Sequence, residues 1–249
     1  MTDSFSSPTK ESRKILFLTA LIAGVILPLF VNGLGAYAVG VAELADGQTG
    51  LSVLLGVILD MLGVFSLYLT LGALLFSGLL FGAKESGGIA LLGLARILIV
   101  YLSAFAVQFL LGSLLGAYDF SVYAAAYFES EMLPGLLTEL LLLLASLLIG
   151  LFFGRKENRG ALKGLFSFSD RRVQALLILL LSVFLVSVAL NLSGTHEILA
   201  AWESEETALG FPDYLLIAEP YIRVIFRTVC GYFLNIVLLS LLPVEAENE

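Results

Sequence analysis

Six runs of twenty or more predominantly apolar residues set the limits on what this chain can become. They are Lys14–Val41, Leu51–Phe81, Ile89–Tyr118, Met132–Gly154, Val173–Leu192 and Tyr221–Leu242. At about 1.5 Å per residue, a helix of this length reaches across the roughly 30 Å hydrocarbon core of a bilayer. Within lipid a segment must satisfy its own backbone N–H and C=O groups, and none of the six alternates with the period of two that a barrel strand requires. The expected fold is an all-α integral membrane protein, a bundle of six transmembrane helices. Residues 1–14 are read as a cytoplasmic tail and 15–249 as a single transmembrane domain. Composition agrees, with 59% hydrophobic and only 14% charged residues, where a soluble domain has about a quarter charged.

The runs echo one another. Arg13–Tyr37 reads RKILFLTALIAGVILPLFVNGLGAY and Ala95–Tyr118 reads ARILIVYLSAFAVQFLLGSLLGAY. GLLFGAKESGG at Gly78–Gly88 returns as GLFFGRKENRG at Gly150–Gly160, and AAYFESE at Ala125–Glu131 as AAWESE at Ala200–Glu205. These echoes divide the bundle into three hairpins, 13–83, 95–154 and 172–243, and point to internal parallel repeats. Each hairpin starts on the same side, so the repeats are not inverted. Gly78 and Gly82, Gly112 and Gly116, and Gly150 and Gly154 each have the spacing that lets two helix backbones approach closely in lipid. Pro28, lacking an N–H in mid-helix, predicts a kink in the first helix.

Ten of the thirteen Lys and Arg lie in Met1–Lys14, at Lys84, or in Arg155–Arg172, while Ala42–Gly50, Asp119–Glu131 and Ser193–Pro220 carry eleven acids and no base. Basic residues are retained on the cytoplasmic side, so both termini are placed in the cytoplasm of a cell membrane. Tyr and Trp cluster in the outer segments, which are expected to lie along the interface as short amphipathic helices. A small-residue pattern at Ala36-Tyr37-Ala38 resembles a signal-cleavage site, but the run before it is too long for a signal core. The bilayer itself, other membrane subunits and further copies of the chain are the expected partners. The basic Arg155–Arg172 segment is what topology requires and is not read as a nucleic-acid site.

Chemistry has few candidates. One cysteine, Cys230, and one histidine, His196, provide neither a disulfide nor a Cys/His metal set. No nucleophile elbow, zinc helix or phosphate loop is present, so the chain is read as non-enzymatic, with no catalytic residues, metal or cofactor. The informative residues are the ionisable ones inside the apolar runs: Asp60, Arg96, Glu139, Arg223 and Arg227. Each costs about 2.5–3.5 kcal/mol at a helix centre, so they are expected to face the interior and pair. Counting depth along the helices pairs Glu139 with Arg227 and brings Arg96 toward Asp60. Two functions compete on this basis. In one, the charges form a polar site for a cation or small solute in a transporter or permease subunit. In the other, they fix helix order in a non-transporting subunit or assembly protein of a larger membrane complex.

Overall fold

The computed structural model describes residues 10–46, 50–115, 132–165, 169–203, 228–231, 233–237 and 239–240. Among these residues there are helices and their connections, and no strand. Five helices are long and apolar enough to cross a membrane: α1 (Glu11–Ala42), α2 (Leu54–Ala83), α3 (Ser86–Ser113), α4 (Leu133–Gly154) and α5, whose apolar part is Arg171–Leu190. A shorter apolar helix, α6 (Thr228–Val237), lies within the sixth predicted run. Half of that run and the segments Asp119–Glu131 and 204–220 lie outside the described residues.

One boundary needs correction. The fifth run was expected to end at Leu192, leaving His196 in a loop, yet α5 continues unbroken as Arg171–Glu203. The stretch LNLSGTHEILAAWE contains no proline, and its single glycine costs a helix only about 1 kcal/mol. Leu, Ala and Glu around it are good helix formers. At 33 residues the helix is about 50 Å long, so its last turns extend past a 30 Å core.

The α2–α3 connection is tight because of one glycine. Gly82 has φ 71° and ψ −176°, a region open essentially to glycine alone, and helical structure resumes at once on its far side. The two helices then run antiparallel, with Leu74 against Gly93 and Ser66 against Arg96. Arg13, at the start of α1, lies over the Phe81 ring at 5.2 Å and ties α1 to the same end.

α1 and α4 both pack against this α2–α3 pair. Gly24, Gly33 and Gly40 of α1 meet Leu92, Ser103 and Leu111 of α3 in the same order along the chain, so α1 and α3 run parallel. α2 and α4 are parallel too. A methyl group at Gly78 would stand 2.8 Å from the Leu151 nitrogen, and one at Gly154 would stand 2.8 Å from the Gly78 carbonyl oxygen. The Gly78, Gly150 and Gly154 seam is thus a direct backbone contact between the ends of α2 and α4. Gly82 takes no part in it, being used for the turn, and Gly116 lies outside the described residues.

α4 is the most enclosed helix, with 50% of its apolar window buried against 22–28% in the other four. One core (Leu67, Leu71, Leu74, Ile97, Leu142, Leu143) joins α2, α3 and α4 at mid-height. A second, around Leu79, Ile149, Phe153, Leu176 and Leu180, closes the Gly154 end. Into it the connecting segment inserts Ala161, Leu162 and Leu165. Arg155–Arg172 is therefore partly a packed plug, with a helical turn Lys156–Arg159 and a 3-10 turn Gly160–Gly164. Polarity is inverted relative to a soluble protein. Ile15, Leu34, Leu91, Leu102, Ile178 and Phe233 are exposed, while Ser66, Thr70, Ser77, Arg96, Glu139, Ser146 and Asn235 are buried.

Candidate functional site

The site begins with Pro28. Around it α1 is not α-helical but π-helical, over Ile22–Ile26 and Leu29–Gly35. Such bulges commonly mark functional positions. The Leu27 N–H is given to the Ile22 carbonyl, so in the same register the Ala23 carbonyl would look to residue 28, which is proline and has no N–H. What the structure shows around Pro28 is two π segments and a released carbonyl.

That carbonyl is taken up from outside the helix. Ser66 of α2 donates its hydroxyl to Ala23 O at 2.6 Å, and Arg96 Nη1 of α3 approaches the same oxygen at 3.4 Å. The Ser66 oxygen in turn accepts from Arg96 Nη1 at 2.5 Å, which uses both capacities of one hydroxyl. Arg96 Nη2 reaches Gly63 O at 3.4 Å and Glu139 Oε1 of α4 at 3.6 Å. The guanidinium therefore stitches α1, α2, α3 and α4 together at one level. Gly24 makes room for it: a methyl there would stand 3.0 Å from Leu92 O and 3.8 Å from Arg96 Cβ.

Arg96 is 2% exposed and Glu139 5%. Their contact is a single long approach, not a bidentate fork. Arg96 Nε and Glu139 Oε2 have no hydrogen-bond partner among the described residues. A buried ion pair offsets its desolvation only when its remaining donors and acceptors are satisfied. Here one donor and one acceptor are left over in the interior of the bundle. One helical turn away, the Tyr101 hydroxyl sits where a side chain on Gly135 would be, 2.7 Å from that Cβ position. The glycine lets α3 close on α4 beside Glu139.

Of the five ionisable residues singled out from sequence, the structure brings together Arg96 and Glu139. Arg96 is paired with Glu139 rather than directed to Asp60, because the antiparallel packing of α3 on α4 places Tyr101 by Gly135 and Gly93 by Leu143, bracketing Arg96 and Glu139 between them. Asp60 lies on an exposed face of α2, among Leu55, Val57, Ile58 and Met61, which are also exposed. Arg223 and Arg227 lie outside the described residues, and with them the expected Glu139–Arg227 pair. Sequence reasoning passed over Ser66 and the Ala23 carbonyl. The signal available was Pro28, whose missing donor implies an open acceptor one turn earlier.

A second buried polar contact joins α4 to α6, where Asn235 Nδ2 donates to Ser146 Oγ at 3.2 Å. It positions α6 across α2 and α4, with Gly231 against Leu71 and Leu142. Among the described residues no group of three or more His, Cys, Asp or Glu is arranged to hold a metal ion. No protein-family model, curated protein or solved structure matches this chain.

Proposed function

We propose that this protein is a transport-type membrane protein or permease subunit in which Arg96 and Glu139 form the polar site for a cation or a small polar solute. The observation that carries this reading is the buried Glu139 carboxylate, whose Oε2 makes no hydrogen bond among the described residues while Oε1 has only a 3.6 Å contact with Arg96. A purely structural pair gains most when both oxygens are satisfied. An ionisable group inside an apolar bundle with spare acceptor capacity is placed to receive a proton, a cation or a solute N–H. The π-helical α1 beside it supplies a deformable wall.

The same reading includes orientation and internal symmetry. Positive charge at Lys84 and along Arg155–Arg172 supports cytoplasmic termini in a cell membrane. The parallel course of α1 with α3 and of α2 with α4 supports an arrangement of repeated parallel hairpins.

A scaffold or assembly function is the second reading, favoured by Asp60. An exposed carboxylate among exposed Leu55, Ile58 and Met61 suits contact with another membrane subunit. The test uses purified protein in detergent, melted in a panel of alkali and divalent cations and small zwitterions. A ligand at a hundredfold excess over its Kd stabilises by about 2.7 kcal/mol. Wild-type protein is expected to gain stability from one class, and Glu139→Gln to lose that gain while its baseline melting temperature stays within a few degrees of wild type. A response unchanged in Glu139→Gln rules out this site.

A further inference from the structure

Between the last turns of α4 and the first turns of α5 lies a cavity of about 330 Å³, within the range of roughly 300–1,000 Å³ that small-molecule sites occupy. Its floor is apolar and buried: Ile149, Phe153 and Leu176. Its open side is also apolar, formed by Leu148, Phe152 and Leu179, all exposed. The cleft therefore continues the apolar coat of the bundle rather than facing water. One end is different. Arg155 directly follows α4 and Arg172 is the second residue of α5, and both line the cavity. Arg172 is steadied there by its Nη1 donating to the Glu157 carbonyl oxygen.

We infer that this cleft holds one anionic phospholipid, its phosphate against Arg155 and Arg172 and an acyl chain laid along the α4–α5 wall. Charge complementarity selects the headgroup, because guanidinium groups pair with phosphate through several parallel donors. The apolar wall selects a lipid over a free anion, since inorganic phosphate would leave that surface uncovered. A bound lipid would fill the space between α4 and α5 and brace the Ala161, Leu162 and Leu165 plug packed at the same end.

The experiment is a titration of the purified protein in neutral detergent with phosphatidylglycerol and with phosphatidylcholine, bound lipid being counted by native mass spectrometry. Wild-type protein is expected to retain one phosphatidylglycerol and to prefer it over phosphatidylcholine. Each basic residue near a headgroup contributes about fivefold, so Arg155→Gln with Arg172→Gln should weaken phosphatidylglycerol roughly thirtyfold. Arg171→Gln, exposed and off the cleft, should leave the preference intact. Ala175→Phe, which fills the cleft without changing charge, should reduce both lipids and tests the site even if the double variant does not fold. Millimolar inorganic phosphate should not displace the lipid. Equal phosphatidylglycerol retention by the double variant, an equal loss in Arg171→Gln, or displacement by inorganic phosphate would each overturn the inference.

Discussion

At the scale of single residues, a missing N–H is coupled to a buried charge. Pro28 opens the Ala23 carbonyl, Ser66 caps it, and the capped hydroxyl then holds Arg96 beside Glu139. Ser66→Ala removes the 2.6 Å donor to Ala23 O and the 2.5 Å acceptor of Arg96 at once, and should cost about 1–3 kcal/mol in thermal melting. In a Pro28→Ala background the same change should cost less, because residue 28 regains an N–H for its own helix. Additive effects in that double-mutant cycle would separate the proline from the site. Arg96 and Glu139 could be singled out from sequence because ionisable residues in apolar runs are rare and expensive. Their pairing could not, since counting residues from helix ends ignores tilt and the length of an arginine side chain. Ser66 was invisible for a different reason: a serine in an apolar helix usually bonds a carbonyl of its own preceding turn, as Ser103 does with Ile99.

Between elements, the seams are backbone contacts, and glycine decides where they fall. A methyl at Gly154 would meet the Gly78 and Leu79 carbonyl oxygens at 2.8 and 3.0 Å, and one at Gly150 would collide with Leu75 O. Gly150→Ala and Gly154→Ala should each destabilise by about 1–3 kcal/mol, the usual cost of overpacking. Gly56, in α2 with nothing within 4 Å of its Cβ position, is the control. Gly56→Ala should be neutral or stabilising by up to about 1 kcal/mol. If all three variants melt alike, the seam does not carry the α2–α4 contact. The Gly78, Gly150 and Gly154 seam was legible because small residues at a spacing of four have one recurrent use in lipid. The role of Gly82 was not, as spacing alone cannot tell a packing glycine from one whose φ is 71°. The continuation of α5 to Glu203 was hidden by Ser193, Gly194 and the following acids, which read as loop chemistry and are overridden by good helix formers around them.

For the whole molecule, an apolar exterior surrounds, among the described residues, an inner layer of buried polar groups that includes Ser66, Arg96, Glu139, Ser146 and Asn235. The orientation of that layer can be checked with single cysteines in a Cys230→Ser background. An impermeant thiol reagent applied outside intact cells should label Ser121→Cys and spare Lys163→Cys if the proposed orientation holds. Five of the six spans were readable from sequence, because lipid leaves helices as the only solution for such runs, while the fifth is longer than read and half of the sixth run lies outside the described residues. Function was less readable, since the same two charges serve either a structural pair or a transport site. Charge displacement decides between them. Protein reconstituted in liposomes on a solid-supported membrane is exposed to jumps in pH, alkali cation or solute, and the capacitive current is recorded. Wild-type protein should give a transient current to at least one jump, and Glu139→Gln should abolish it while melting within a few degrees of wild type. No current from wild type in any jump, together with an Arg96→Met and Glu139→Leu double variant as stable as wild type, would contradict a transport site at this pair and leave a structural ion pair in its place.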